Sequence, residues 1–202
     1  MSALNRILVL LGASLLSNCG TWHPWQQTSN TWQREIDARV ARIGYRNWIV
    51  ITEASFPTHS RPGITQITVP VEIPDATDYV LRSLEKTEHL RPKIYLAREL
   101  RAVENDFAPG IDHLRQRIGE SLHGHDPTEL DHNSLLTLLN DARRSFEITL
   151  IRTPTALPYS SVFMELQPGY WDPDSESRLR DRLEAQSGEP TTDRLQKLAR
   201  PF

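Results

Sequence analysis

Arg42–Ser60 reads RIGYRNWIVITEASFPTHS, and its succession of residue types decides the fold class. Gly44 closes a helical pattern that starts near Thr31, a plausible N-cap, and repeats Ile36, Val40 and Ile43 at helical spacing. Trp48–Thr52 (WIVIT) follows after a short turn as a continuous run of apolar and β-branched residues. Such a run suits a strand covered on both faces. A strand covered on both faces needs helices above and below it, so this stretch predicts an α/β domain. Glu53 stands at the end of the strand, and Phe56-Pro57 opens a polar turn that reaches Gly63.

The same alternation continues downstream. Ile64–Val71 predicts a second strand, Pro74–Lys86 a helix with Tyr79, Val80 and Leu84 apolar, and Lys93–Leu96 a short strand after Pro92. Pro109–Leu122 predicts a helix, His123–Asp131 a polar loop, and Asn133–Arg144 a helix with Leu135, Leu136, Leu138, Leu139 and Ala142 inward. Phe146–Arg152 and Ser160–Leu166 predict two more strands, and Asp174–Ala185 a last helix. No internal repeat or low-complexity segment marks a second domain. The expected organisation is one α/β domain over 31–183 with a polar tail over 184–202.

Upstream, Arg6 precedes an apolar run, Ile7–Leu16, that is too short to cross a hydrocarbon core, which needs roughly 20 residues. Its length suits the apolar region of an export signal. The run stops at Leu16-Ser17-Asn18-Cys19-Gly20, which resembles the lipobox of bacterial lipoproteins, and Cys19 is the only cysteine in the chain. The expectation is a signal over 1–19 with lipidation at Cys19, a polar linker over 20–30, and an exported domain anchored to a bacterial cell envelope. The membrane would then be a partner only through that lipid.

Two segments together are similar to the D-ribose pyranase and L-fucose mutarotase family. One is Arg42–Ser60, where the family shows Gly-His-x-Asp, an apolar strand, an acid and a Leu/Phe-Pro turn. The other is Ala142–Trp171, in which Arg152-Thr153 ends a strand and Tyr159-Ser160-Ser161 begins the next. It is similar to the family's Arg-Thr-Gly-Glu, Tyr-x-Asn and final apolar strand. The resemblance implies an α/β fold with a central sheet flanked by helices, and a ring-like homo-oligomer with sugar sites near subunit contacts. It also implies cofactor-free interconversion of sugar ring forms.

Position by position, the family's Gly-His falls on Gly44-Tyr45, its next Asp on Asn47, its strand-end acid on Glu53, its Tyr on Tyr159 and its Asn on Ser161. Pro154-Thr155 stands in place of the family's Gly-Glu, and His132 is the nearest candidate for the family's helix-start histidine.

Mutarotation takes a proton from the anomeric hydroxyl while another group protonates the ring oxygen, work best done near neutral pKa. A phenol is a poor base near neutrality but a good hydrogen-bond donor, so Tyr45 suits donation better than abstraction. The candidate catalytic residues are Glu53, Tyr45 and His59, the last being the histidine nearest Glu53 in sequence. Arg61, His132, Tyr159 and Ser161 are candidate binders of a monosaccharide or related polyol, and Trp171 can stack on a sugar face. A second reading keeps the fold without catalysis, as a ligand-binding or structural envelope lipoprotein.

His123-Gly124-His125-Asp126 with His132 offers imidazole and carboxylate groups to a metal, but at no protease-like spacing. No metal is therefore assigned. The sequence holds no Gly-rich phosphate loop, Gly-x-Ser-x-Gly elbow or cysteine pattern, which argues against NTPase, esterase and zinc-ribbon readings. Its net charge of -3, with basic residues dispersed, argues against nucleic acid as a partner.

Overall fold

The structure, a computed structural model, describes residues 31–57 and 62–187. Its centre is a six-stranded sheet in the order β2-β5-β1-β6-β3-β4. The strands are β1 (Trp48–Thr52), β2 (Ile64–Thr68), β3 (Leu90–Ala97), β4 (Thr128–Leu130), β5 (Ile148–Arg152) and β6 (Val162–Pro168). Five helices flank it: α1 (Thr31–Val40), α2 (Ile73–Glu85), α3 (Ile111–Ser121), α4 (His132–Ala142) and α5 (Pro173–Ser187). The expected α/β class with a helix-flanked central sheet is the architecture observed.

β1 pairs in parallel with β5, β5 with β2, and β3 with β4, whereas β6 runs antiparallel to both β1 and β3. Five strands therefore end at one edge of the sheet, and β6 alone begins there. This arrangement gathers the turns after β1, β3, β4 and β5, together with the start of β6, at a single edge. Carboxyl ends of strands are where open α/β sheets take ligands.

Alternation along each strand divides the core into two layers. Ile49 and Ile51 of β1, Met164 of β6 and Ile94 of β3 pack with Ile36, Val80, Leu81 and Ile118 from α1, α2 and α3. Trp48, Val50, Tyr95, Leu150 and Phe163 face the other way, against Leu135 and Leu139 of α4. Ile51 and Phe163 are fully buried, and each such side chain contributes about 1.5–3 kcal/mol on leaving water. On the first layer, Asp37 of α1 accepts hydrogen bonds from Tyr79 (2.9 Å) and Ser83 (2.6 Å) of α2. Burial and this carboxylate push the Tyr79 phenol up to about 12.

Three differences from the sequence reading have physical causes. β3 begins at Leu90 and includes Pro92, which pairs with Leu166. β4 reaches only Tyr95–Ala97, so Pro92 lies where β3 has no outer partner and a missing N–H is tolerated. Thr128–Leu130 forms β4 inside the segment expected to be loop, held by its pairing to β3. Arg98–Arg101 forms a 3₁₀ turn directly after β3. The signal, Cys19 and the linker lie outside the described residues, as do His59 and Arg61. Among the described residues, no helix is long and apolar enough to cross a membrane.

Candidate functional site

Glu53 follows the last residue of β1 and is held there by β5. Arg152, the last residue of β5, donates from its guanidinium to the carbonyls of Ala54 (2.5 Å) and Phe56 (2.7 Å). Thr153 donates to the Thr52 carbonyl through both its amide (3.0 Å) and its hydroxyl (2.8 Å). The Ala54 amide donates in turn to the Thr155 carbonyl at 2.8 Å. The backbone is thus fixed on both sides of Glu53, and Phe56 anchors the following turn against Phe163 with ring centroids 6.3 Å apart. The Arg-Thr pair at the end of β5 has a direct mechanical role: it positions the acid at the end of β1.

The start of β6 completes the contact. Antiparallel pairing of Ile51 with Val162 brings Ser161 beside Glu53. The buried Ser161 hydroxyl donates to the Glu53 carboxylate and accepts a long bond, 3.4 Å, from the Glu53 amide. One hydroxyl therefore ties the carboxylate to its own backbone. Tyr159 precedes the strand in a left-handed conformation with φ 57°. A bulky residue with positive φ is rare, and such strain clusters at functional sites. The alternation rule, which would place Tyr159 and Ser161 on one face of a strand, does not apply, because Tyr159 lies in the turn. Ser161 is buried against Glu53, whereas Tyr159 is partly exposed.

His132 is the first residue of α4 and meets Tyr159 edge to face, with centroids 5.4 Å apart. Asp131 caps this helix, accepting from the Ser134 amide at 2.9 Å. The His132 amide donates to both oxygens of Glu99, from the turn after β3, at 3.0 Å. This fixes the backbone that carries the ring, yet the buried Nδ1 of His132 has no hydrogen-bond partner. A buried ring nitrogen without a partner is costly and marks a group to be satisfied by something else.

Glu53, His132, Tyr159 and Ser161 thus share the edge where the parallel strands end. Tyr45 does not join them. It lies in the turn before β1, 55% exposed, at the opposite end of a strand that spans roughly 17 Å. Asn47 also lies at that end, where its side chain accepts from the Glu147 amide (2.7 Å) and donates to the Gly44 carbonyl (3.0 Å). The histidine loop is separate again: His123 bonds to Glu85 and Asp78 of α2, whereas His132 starts α4. Among the described residues, no group of three or more His, Cys, Asp or Glu side chains is placed to hold a metal ion. Sequence reasoning missed Arg152 and Glu99 as supports of the site. The Arg-Thr motif was a signal for the first, and nothing in sequence marked the second.

No protein-family model matches the chain, and no curated protein does. Among solved structures it is similar to Bacillus subtilis RbsD complexed with D-ribose, at 16% identity and TM-score 0.49, covering 68% of this chain and 93% of that one. It is also similar to the fucose mutarotase in complex with L-fucose from Streptococcus pneumoniae, at 18% identity and TM-score 0.42, covering 63% and 87%. A third is FucU from Bifidobacterium longum, at 12% identity and TM-score 0.45, covering 65% and 92%.

Proposed function

We propose that the protein binds a monosaccharide or related polyol at the edge formed by Glu53, Ser161, Tyr159 and His132, and interconverts its ring forms there. The observation that carries this reading is the gathering, on one edge of the sheet, of a Glu53 carboxylate held by Ser161 and a His132 imidazole whose Nδ1 lacks a partner. A carboxylate, two hydroxyls and an imidazole on one edge match the donors and acceptors of a hemiacetal and its neighbouring hydroxyls.

In the proposed reaction, Glu53 takes the proton of the anomeric hydroxyl as the bond from C1 to the ring oxygen breaks. The ring oxygen takes a proton from His132, leaving the open-chain carbonyl form. Reclosure on the other face of the carbonyl returns both protons in reverse, so no electrons are exchanged and no cofactor is called for. Tyr45, at the far end of β1, has no part in this site within one chain.

A second reading, ligand binding without catalysis, is favoured by one observation. The phenol at Tyr45 occupies the position where the resembling family carries an imidazole, leaving the acid/base work to Glu53 and His132. The proposal also includes self-association into a ring-like homo-oligomer, which light scattering of the purified protein tests. It further includes export with lipidation at Cys19, which globomycin-sensitive processing and loss of membrane association in Cys19→Ala test.

The deciding experiment is ligand-detected NMR with ribose, fucose, galactose and glucose, comparing wild type with Glu53→Gln. Exchange between anomeric resonances above the spontaneous rate, lost in Glu53→Gln, is the expected result. Binding without faster exchange establishes the second reading. No binding of any of the four sugars overturns both for this sugar range.

A further inference from the structure

At the end of the sheet away from Glu53 lies an open cleft of about 560 Å3, within the usual size range of small-ligand sites. It is framed by the turn before β1, the end of β6 and the first half of α5. Three aromatic side chains line it and remain well exposed: Tyr45 (55%), Tyr170 (76%) and Trp171 (43%). Large rings that stay in water together at one cleft are an unusual use of apolar surface.

The rings are set in place by contacts that serve no core. Gly169 is pressed against the start of β3, so closely that a Cβ would come within 2.4 Å of the Glu88 carbonyl. Its amide donates to the His89 carbonyl at 2.9 Å. This approach fixes the turn that presents Tyr170 and Trp171. The Trp171 indole N–H then donates to Glu176 at 2.8 Å, which locks the ring onto α5. On the other side, Arg46 holds a left-handed backbone, φ 67°, with its amide donating to Leu166 at 2.6 Å.

The lining groups point to the class of ligand. Glu176 accepts from Arg180 as well as from Trp171. Asp172 accepts from the amide (2.7 Å) and hydroxyl (2.9 Å) of Ser175, and Glu165 accepts from the Tyr95 hydroxyl at 2.8 Å. The Arg46 guanidinium lies over the Phe146 ring, 5.5 Å from its centroid. Each carboxylate lining the cleft accepts a hydrogen bond within the protein, and Arg180 is paired with Glu176. What remains on offer is aromatic faces with a polar rim. That combination complements a ring with apolar faces and a hydroxyl edge.

We propose that this cleft binds a neutral saccharide, with a pyranose ring laid on Trp171 and Tyr170 and a neighbouring unit reaching Tyr45. The site is separate from the Glu53 edge and stands or falls independently of it. An open cleft with spaced rings suits successive units of a chain rather than one enclosed sugar.

The test is titration of the full-length protein with cellotetraose, a soluble chain of neutral pyranoses, followed by ligand-detected NMR. Trp171→Ala and Tyr170→Ala, both at exposed positions, should each weaken binding by about tenfold, while Trp171→Phe retains it and Glu53→Gln leaves it unchanged. Circular dichroism checks that each variant is folded. If Trp171→Ala fails that check, Tyr170→Ala carries the comparison. Binding that survives both alanine variants, binding lost in Glu53→Gln instead, or no binding by wild type overturns the proposal.

Discussion

The Ser161 hydroxyl donates to the Glu53 carboxylate and also accepts from the Glu53 amide, joining residues 108 positions apart in the chain. Ser161→Ala leaves the carboxylate without its fixed donor while removing a single oxygen. The expected outcome is a loss of about 1–2 kcal/mol in urea unfolding. Anomeric exchange should fall about tenfold with the fold retained. Exchange at the wild-type rate would show that the chemistry does not need this hydroxyl.

Arg152 predicts a larger effect from a residue that touches no ligand. Its guanidinium spans two carbonyls in the turn after Glu53, a fork that lysine cannot reproduce. Arg152→Lys should cost about 1.5–3 kcal/mol by urea unfolding. It should also broaden the amide resonances of 54–56. Unchanged spectra in that turn would show that β1 alone sets its course.

The His123 prediction concerns pH. Both ring nitrogens contact carboxylates of α2, Glu85 at 2.9 Å and Asp78 at 2.8 Å, the latter also bonded to Arg82 at 2.9 Å. The bonds to Glu85 and Asp78 raise the His123 pKa above its ordinary value, against a smaller opposing effect of burial. A raised pKa means the folded state binds this proton more tightly than the unfolded chain. The stabilisation is therefore full below about pH 6 and is lost as pH rises through the folded value. His123→Asn keeps a residue that accepts the left-handed backbone, φ 52°, and removes the charge. The melting-temperature gap between wild type and this variant should be widest near pH 5.5 and close towards pH 9. A gap independent of pH would mean that the contact acts by shape alone.

Gly169→Ala tests the close approach of two backbones at the end of β6. The added Cβ meets the Glu88 carbonyl at 2.4 Å and the Leu90 amide nitrogen at 3.0 Å, and neither atom belongs to a flexible side chain. A cost of about 1–3 kcal/mol is expected from thermal or urea unfolding. Wild-type stability would show that the turn shifts freely.

The fold was largely legible because its decisive strand is buried on both faces, and burial writes itself as a run of apolar residues. Trp48–Thr52 and Ile148–Arg152 are such runs, and both are strands with the predicted boundaries or nearly so. β4 left no trace, since its three residues are exposed or half-buried and their structure comes from pairing with Tyr95–Ala97. The site was legible as residue types and illegible as geometry. Nothing in the residue types excludes Tyr45 from a site with Glu53, eight positions away; the strand Trp48–Thr52 between them sends them to opposite ends of the sheet. Nor does sequence show that Glu99 would grip the start of α4, because that contact spans a turn, a helix and a short strand.

Among the described residues, β6 is the last strand in chain order, and it sits in the middle of the sheet, between β1 and β3. Until it arrives, β2, β5 and β1 form one fragment and β3 with β4 another, each with an open hydrogen-bonding flank at the future centre. A nascent chain that has not reached Val162 therefore cannot unite its two halves. Such long-range closure makes folding slow and leaves exposed strand edges in the interim, so this chain depends on what shields those edges while it waits.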